Sequence, residues 1–289
     1  MPKTSYYHWL TNSLPYQKRK QAEDAIIRDE IEAIVLDFSG YGYRPVAHQL
    51  KKQGFMINDK FVNHKRILRI MREHKLLCKI QKQWIATTDS SHNLPIYPNL
   101  VKKLNFKPSN INQLWSADIT YIKLLTGFVY LAAILDACSR KVIGWALGDT
   151  LSHELALSAL KMALRERQII NAQQKLIHHS DKGVQYCASA YIDLLRFHGI
   201  QISMSAKGSP WENGRIESFF KTLKYNEVYL NEYEDIYEAN QNIGSFIEKV
   251  YNQKRLHSSL AYQTPNEFEE KLNFNKLKNA QTVSVSVQR

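Results

Sequence analysis

The apolar residues in the first quarter of the chain keep the spacing of helices. They predict one helix from Gln17 to Phe38 and a second helix that ends at Gly54. A third helix, rich in lysine and arginine, is predicted from Lys60 to His74, with Asn58 or Asp59 as its N-cap. These elements indicate a small all-α unit at the front of the chain.

From about residue 112 onward, strand and helix patterns alternate. Three strands with short connections predict an antiparallel meander. Its second strand, Phe128 to Asp136, is apolar almost throughout and is expected to be buried on both faces. Two more strands are expected to end at Asp181 and Met204, with amphipathic helices between and after them. The order β-β-β-α-β-α-β-α predicts an α/β domain with a mixed five-stranded sheet and helices on both faces.

One of the predicted helices carries an apolar stripe beside a polar one. The apolar members, at positions i, i+3, i+4 and i+7, are Ile216, Phe219, Phe220 and Leu223. Glu217, Lys221 and Lys224 follow the same spacing on the neighbouring stripe. A carboxylate at that position is held beside packed side chains, and the two lysines lie where they would meet phosphate groups.

Two further acids lie within or directly after predicted buried strands. Asp118 lies inside a run of aromatic and β-branched residues that predicts a strand, so its charge must be paired, metal-bound or facing a cleft. Asp181 comes where a buried strand gives way to a turn containing Gly183. With Glu217 they offer the oxygen ligands that Mg²⁺ prefers, and a pair of such ions can serve phosphoryl transfer. The alternative is three ordinary surface or salt-bridged acids.

The excess of basic over acidic residues indicates which kind of molecule the protein binds. The 289 residues include 39 lysines and arginines against 27 acids, a formal net charge of +12. A chain this basic usually binds a polyanion, and nucleic acid is the usual one. The alternative is a basic protein without a specific partner.

The third helix of the front unit, because it is rich in lysine and arginine, is a candidate for contact with DNA, through Lys65, Arg66 and Arg69.

Cysteine use and hydropathy argue against two classes of protein. The three cysteines, Cys78, Cys138 and Cys187, form no C-x-x-C pair, which argues against a zinc ribbon or a disulfide framework. The longest fully apolar run, Phe128 to Leu135, is too short to span a membrane, and we find no export signal. We therefore expect a cytoplasmic protein.

Three segments then carry a resemblance to a known family. The motifs WSADITY, HHSDKGVQY and NGRIESFFKTLK resemble the three acidic motifs of DDE transposases and retroviral-type integrases. In particular, they are similar to the OrfB product of IS-three-type bacterial insertion sequences. In that family thirty-five residues separate the second and third acids, and a basic residue follows the glutamate by seven positions. Asp181, Glu217 and Lys224 have this spacing. The resemblance implies a ribonuclease H-like core in which Asp118, Asp181 and Glu217 are catalytic and bind two Mg²⁺ or Mn²⁺ ions.

The resemblance also implies the reaction and its partners. It implies metal-dependent cleavage and transfer of DNA strands, at the ends of an insertion sequence and into a target, with Lys221 and Lys224 contacting DNA. A homo-oligomer on DNA is expected, and the product of an upstream reading frame is a further candidate partner. The alternatives are a non-catalytic DNA-binding regulator and a stand-alone nuclease of the same fold.

Patterns and resemblance together divide the chain into four regions. These are a helical, helix-turn-helix-like region (1–77), a basic linker (78–111), an integrase core with a helical tail (112–270) and a disordered end (271–289).

Six other polar residues are weighed against the three acids and set aside. Asp136 ends a strand before a turn that it could cap, and Glu212 lies in the loop before the helix of Glu217. The remaining four are His178, His179, Arg255 and His257. For these, packing or hydrogen bonding is at least as good an interpretation as contact with metal or DNA, so their roles stay open.

Overall fold

The computed structural model describes residues 4, 7, 14–77, 94–173, 175–206 and 210–287. It divides into two compact units, residues 1–82 and 83–289. A short strand that the sequence predicts near Trp84 lies outside the described residues, as does most of a short helix predicted over residues 3–15. Among the described residues, no helix has the length and apolar character needed to cross a membrane.

Residues 14–77 of the smaller unit form three helices and a two-stranded hairpin. Its elements are α1 (Leu14–Asp37), α2 (Tyr43–Lys52), β1 (Met56–Ile57), β2 (Lys60–Phe61) and α3 (His64–Glu73). Apolar residues from all three helices form its core: Ile27, Ile31, Ile34, Val46, Leu50, Ile67 and Ile70. Gly54 follows α2 with a φ of 74°, so the predicted end of the second helix is confirmed.

The third helix begins later than the sequence pattern predicts. Asn58 and Asp59 both have positive φ, 49° and 59°, and form the two-residue turn of the β1–β2 hairpin. Lys60 therefore lies in a strand, and the N-cap of α3 is Asn63, whose side chain accepts a 2.9 Å hydrogen bond from the Lys65 N–H. The predicted cap was wrong because two adjacent residues that tolerate the left-handed conformation favour a hairpin turn.

The larger unit is built on one five-stranded sheet. Its strands are β3 (Leu114–Leu124), β4 (Gly127–Asp136), β5 (Val142–Gly148), β6 (Ile177–Ser180) and β7 (Gln201–Met204), in the order β5-β4-β3-β6-β7. Strands β3, β4 and β5 form the predicted antiparallel meander, and β6 and β7 are parallel to β3. Phe128 is 53% exposed. The expected burial of the second strand is therefore wrong at its start, which forms the tip of a hairpin.

Helices cover both faces of this sheet. In the described residues, the helices of the larger unit are α4 (Leu100–Lys103), α5 (His153–Glu166), α6 (Val184–Cys187), α7 (Ser189–Phe197), α8 (Gly214–Asn226), α9 (Ile236–Ser245) and α10 (Pro265–Val287). Trp115, Ala117 and Ile119 of β3 pack with α5 and α7. Ile122 and Leu124 pack with α8 and α9 on the other face. Because successive strand residues point to opposite faces, Asp118 shares the face of α8.

Two segments differ from the predicted division of the chain. The described part of the linker packs on the sheet, because Leu100, Val101 and Phe106 contact a small buried cluster around Leu114. Helix α10 continues to Val287, through residues expected to be disordered. Residues 271–287 contain neither proline nor glycine, so nothing in their sequence ends the helix.

Candidate active site

Asp118 lies in β3, on the face that α8 covers. Its side chain is partly exposed, and its Oδ1 atom accepts a 2.8 Å hydrogen bond from the Ile119 N–H. The neighbouring strand β6 ends before it reaches the level of Asp118. Asp118 is therefore paired with Ala133 of β4 on one side and lies beyond the end of the β3–β6 ladder on the other.

Asp181 follows the last residue of β6. The parallel register pairs Trp115 with His178 and Ser116 with His179. Two more residues in that register bring Asp181 beside Asp118, on the same face of the sheet. The Asp181 Oδ1 atom accepts a 2.9 Å hydrogen bond from the Gly183 N–H, which fixes the predicted turn after the strand.

Glu217 projects from the first turn of α8. The predicted apolar stripe of this helix is confirmed, since Ile216, Phe219, Phe220 and Leu223 are all buried. Glu217 itself is half-buried at the edge of that stripe, and its burial raises the pKa of its carboxyl group. The packed side of the helix therefore holds this carboxylate in position, as the pattern predicts.

The three acids share one electrostatic environment. The pKa of the Asp118 carboxyl is raised well above its ordinary value, first by burial and next by the negative charge of Asp181. Glu217 acts in the same direction, whereas the Ile119 N–H and the charge of Lys224 act in the opposite direction. Three acids from separate segments thus converge on one face of the sheet, although they are remote in sequence.

Lys224 lies at the margin of this cluster. Its Nζ atom is 4.0 Å from the centroid of the Tyr121 ring, a cation–π contact. Burial lowers the pKa of Lys224 to about 8, and the charge of Asp118 opposes that shift. Lys221, one turn earlier on the same stripe, is exposed. Both lysines are thus on the acidic side of α8, where DNA contact was predicted, and that contact stays a prediction.

Asn213 was not among the predicted site residues, yet its side chain joins the start of α8 to the strand of Asp118. Asn213 occupies the N-cap position of α8 but makes no side-chain cap. Its Nδ2 atom instead donates a 2.9 Å hydrogen bond to the carbonyl of Ala117, and the side chain is buried. The signal was an asparagine directly before a helix, which sequence patterns assign to capping.

Glu212 connects the loop before α8 to the linker. Its Oε2 atom accepts hydrogen bonds from the Asn99 Nδ2 atom at 2.7 Å and from the Ala206 N–H at 2.8 Å. Its Oε1 atom lies 3.2 Å from the Lys102 Nζ atom. These contacts, the Ala206 N–H first, lower the pKa of Glu212. The residue therefore ties separate segments together and is not grouped with the three acids.

Asp136 caps the turn after β4. Its Oδ1 atom accepts from the Cys138 N–H at 2.9 Å, and its Oδ2 atom accepts from the Asn112 N–H at 2.7 Å. The side chain is fully buried, and burial raises the pKa of its carboxyl group. Asp136 therefore caps the turn, which is one of the roles that its sequence position allows.

The histidines near the site are held neutral by burial. His178 bonds the Tyr191 hydroxyl at 2.9 Å on the far face of the sheet, and burial lowers its pKa to about 3. His179 bonds the Ser203 Oγ atom at 2.9 Å, and burial lowers its pKa to about 4. Both therefore stay uncharged near neutral pH and act as hydrogen-bonding core residues.

His257 and Arg255, in the C-terminal part of the chain, also make internal contacts. The His257 ring lies edge-on to Tyr251, with 4.8 Å between centroids, and burial lowers its pKa to about 3. The Arg255 Nη1 atom lies 3.5 Å from the Asn226 Oδ1 atom, at the end of α8. These contacts are those of packing residues.

In the smaller unit, two of the three candidate DNA contacts form ion pairs. The Arg66 Nε atom lies 2.7 Å from Asp24 Oδ1, and its Nη2 atom lies 3.0 Å from Glu23 Oε2. The Arg69 Nη2 atom lies 2.6 Å from Asp24 Oδ2. These pairs join α3 to α1 and give both arginines a structural role, whereas Lys65 is exposed. Contact of the three with DNA stays a prediction.

The three acids have the oxygen donors of a metal site but not its finished arrangement. Within the described residues, no group of three or more His, Cys, Asp or Glu side chains is arranged to hold a metal ion. The donor chemistry does fit a hard divalent cation, because Asp118, Asp181 and Glu217 supply carboxylate oxygens. Their repulsion, which contributes to the raised pKa of Asp118, is the cost that a bound cation would relieve.

Comparison with known proteins adds independent findings. Family models described as Integrase core domain match residues 108–210 and 198–265, and one described as HTH-like domain matches residues 21–84. The mixed sheet and these matches confirm the predicted ribonuclease H-like core and helix-turn-helix-like front region.

Individual relatives cover nearly the whole chain. It is 35% identical to the insertion element IS600 uncharacterized 31 kDa protein of Shigella sonnei, over 93% of this chain and 95% of that protein. It is 31% identical to the transposase InsF for insertion sequence IS3A of Escherichia coli (strain K12), over 93% and 90%. Among solved structures, a simian T-cell lymphotropic virus intasome chain gives a TM-score of 0.46 at 16% identity, over 77% of this chain and 70% of that one.

Proposed function

Because the chain belongs to the IS3-type insertion-sequence transposases, enzymes of DNA strand transfer, we propose that Asp118, Asp181 and Glu217 are its catalytic residues and hold divalent metal ions. The observation that carries this proposal is the convergence of three acids from separate segments on one face of the sheet. The raised pKa of Asp118, to which both other acids contribute, supports it. Sites that perturb carboxyl groups in this way are often functional.

In the proposed reaction, the metal ions and the side chains have different tasks. Held by Asp118, Asp181 and Glu217, a pair of Mg²⁺ or Mn²⁺ ions would supply activation of the attacking oxygen and neutralisation of charge on the departing one. The three carboxylates fix the place where a phosphodiester must lie. Lys224 holds a positive charge beside them, steadied by the Tyr121 ring, and would bind a phosphate oxygen of the same DNA strand.

The test is a strand-transfer assay with labelled element ends and Mg²⁺. The wild-type chain should cut the ends and join them to target DNA. Asp118→Asn, Asp181→Asn and Glu217→Gln should each abolish both products while DNA binding persists. Asp193→Asn is a matched control, because Asp193 is an exposed acid on α7 and its side chain is 70% accessible.

The same assay separates the alternative functions. Cut but unjoined ends would indicate a stand-alone nuclease, and shifted but intact DNA would indicate a non-catalytic regulator. Normal strand transfer by any of the three acid variants would remove that residue from the catalytic set.

The partners follow from the reaction. Two ends of an element must be brought together, so we propose that the chain acts as a homo-oligomer on DNA. The product of an upstream reading frame is a further proposed partner. Mixing wild-type chain with inactive Asp181→Asn chain tests the oligomer, since activity should fall faster than the wild-type fraction if several subunits must cooperate.

A further inference from the structure

An aromatic cluster lies beside the acids, on the side of α8 that carries Lys224. We name Tyr121, Phe128, Tyr225 and Tyr229 the aromatic platform. The Tyr121 and Phe128 rings meet edge-to-face with 5.7 Å between centroids, and those of Tyr225 and Tyr229 do so at 5.4 Å. The pKa of Tyr229 is raised by burial and then by the proximity of Tyr121, which links the two pairs.

The platform is open to solvent. Phe128 is 53% exposed and Tyr229 is 45% exposed, and two leucines beside them in sequence, Leu125 and Leu230, are 60% and 61% exposed. Single exposed apolar residues are normal on a protein surface, but several together mark a binding surface. The platform therefore has the composition of a contact site rather than of a core.

The platform is also rigid. Tyr229 lies on a short 3-10 helix, Val228–Leu230, that follows α8. The Glu227 carboxylate before it accepts hydrogen bonds at 2.9 Å from the Tyr233 hydroxyl and the Asn231 side chain. The Leu125 N–H donates to the Tyr233 carbonyl at 2.9 Å, which joins this segment to the β3–β4 turn. The rings are therefore presented on a fixed surface.

The position of the platform relates it to the reacting strand. The Lys224 ammonium lies 4.0 Å from the Tyr121 ring centroid. The charges of Lys224 and Asp118 also shift each other's pKa. Lys221 is exposed one turn earlier on α8. Lys224 thus relates the rings to the acids, and Lys221 adds a second positive charge on the same helix.

We propose that the aromatic platform stacks with unpaired nucleobases of the DNA strand whose phosphodiester lies at Asp118, Asp181 and Glu217. The proposal rests on the proposed function for the location of the reacting strand. Aromatic rings bind bases of any sequence through their faces, and lysines beside them bind the backbone. Bases next to a nick or a frayed end are the part of a DNA substrate that offers such faces.

The alternative occupant is a second copy of this chain. The cores of interfaces between protein subunits are depleted of charged residues, especially lysine. Here lysines border the rings, and the chain carries a net charge of +12, so an anionic partner is favoured over a second cationic chain.

The experiment measures binding of the full chain to two DNA probes in EDTA, so that no strand is cut. One probe is a blunt duplex, and the other is the same duplex with a short single-stranded adenine tail containing a fluorescent adenine analogue. Phe128→Ala and Tyr229→Ala should weaken binding of the tailed probe by about tenfold, since stacking contributes roughly 1–3 kcal/mol per base. The same variants should leave affinity for the blunt probe unchanged and should abolish quenching of the analogue.

Control variants separate stacking from loss of structure. Phe128→Tyr and Tyr229→Trp keep an aromatic face and should retain tail binding. Phe197→Ala, at an aromatic residue of α7 that is 77% exposed, should change neither probe. An equal loss on both probes would overturn the proposal, as would a failure of the aromatic replacements to retain binding. A change of oligomeric state in sedimentation would assign the platform to a second copy instead. Because no step of this test requires catalysis, its failure is distinguishable from failure of the catalytic assignment.

Discussion

The side-chain amide of Asn213 donates a 2.9 Å hydrogen bond to the carbonyl of Ala117, the residue before Asp118. Ala117 lies beyond the last residue of β3 that pairs with β6, so Asn213 bonds to β3 where that ladder has ended. The start of α8 is thereby joined to the strand of Asp118, four residues before Glu217. This contact, together with the buried apolar side of α8, positions Glu217 relative to Asp118.

Replacing Asn213 should therefore lower the turnover number strongly and the free energy of unfolding only modestly. Asn213→Ala loses the donor, which should lower the free energy of unfolding by about 1 kcal/mol. Asn213→Asp also loses the donor and sets a buried carboxylate against the Ala117 carbonyl, so it should cost more. The turnover number for strand transfer should fall by about tenfold or more, because small displacements of catalytic groups are costly. Affinity for DNA should be unchanged. Ser218→Ala, an exposed change on the same helix, is the control, and equal turnover for all three variants would contradict the positioning role.

Removal of the charge of Asp118 should stabilise the metal-free protein. The pKa of this carboxyl is raised in the fold, so between its unfolded and folded pKa values the native state binds more protons than the unfolded state. The stability linked to Asp118 is therefore fully present below the unfolded pKa and is lost as pH rises through the folded pKa.

In EDTA at neutral pH, Asp118→Asn should accordingly raise Tm by about 2–4 °C, the shift that about 1 kcal/mol produces in a domain of this size. Mg²⁺ should raise the Tm of the wild-type chain and have a smaller effect on the variant. Scanning calorimetry with and without Mg²⁺ checks both statements. A lower Tm for Asp118→Asn in EDTA would show that its carboxylate is satisfied without metal.

Acid should destabilise the larger unit through His178. Its folded pKa of about 3 is below the ordinary value of 6.5, so the fold favours the neutral ring. The corresponding stability is present above pH 6.5 and is lost as pH falls toward the folded pKa. At pH 5 the loss from this residue is about 2 kcal/mol. Urea unfolding at pH 7 and pH 5 should show a smaller difference for His178→Gln, and an equal difference would assign the acid sensitivity to other groups.

Lys224 should contribute to DNA binding through its charge. Lys224→Ala should weaken binding and lower the salt slope of log affinity by about one unit, as expected for the loss of one phosphate contact. Titration of binding over a range of salt concentrations measures this slope. Lys249→Ala, at an exposed lysine distant in sequence from the site, should leave the slope unchanged. A normal slope for Lys224→Ala would give the lysine a purely structural role beside Tyr121.

In the smaller unit, Lys65 and Arg66 should respond differently to truncation. Arg66→Ala removes two contacts to acids of α1 and should lower the free energy of unfolding of this unit by about 1–2 kcal/mol. Lys65→Ala should leave stability unchanged and weaken DNA binding. Thermal unfolding and DNA binding of both variants provide the comparison. The reverse result, in which Arg66→Ala is stable but deficient in DNA binding, would show that the main role of Arg66 is to bind DNA.

The periodic parts of the structure were predictable from sequence. The stripe of Ile216, Phe219, Phe220 and Leu223 identified α8 and the side on which Glu217 lies. The strand pattern around Asp118 identified β3, and the meander followed from short connections. Such patterns report which side of an element is buried, and burial is what hydrophobic spacing encodes.

Contacts between side chains remote in sequence could not be predicted in this way. Asn58 and Asp59 were assigned to a helix cap, although their shared tolerance of positive φ places them in a hairpin turn. Asn213 stands where a cap is expected but bonds to β3 instead. Phe128 was expected in the core because it begins an apolar run, yet it lies at a hairpin tip. For Asn213 and Phe128 the outcome depends on what the fold brings opposite the residue, whereas the Asn58–Asp59 turn follows from a local preference that the cap assignment did not use.

The three acids reach one place from residues 118, 181 and 217, and the last of them lies on α8, which follows every strand of the sheet in the chain. A ribosome that has not yet passed residue 217 therefore presents an incomplete catalytic set. A chain shortened by a premature stop before that point should be harmless to the host chromosome, even if its front unit folds. Breakage of DNA by this protein is in this sense conditional on complete synthesis.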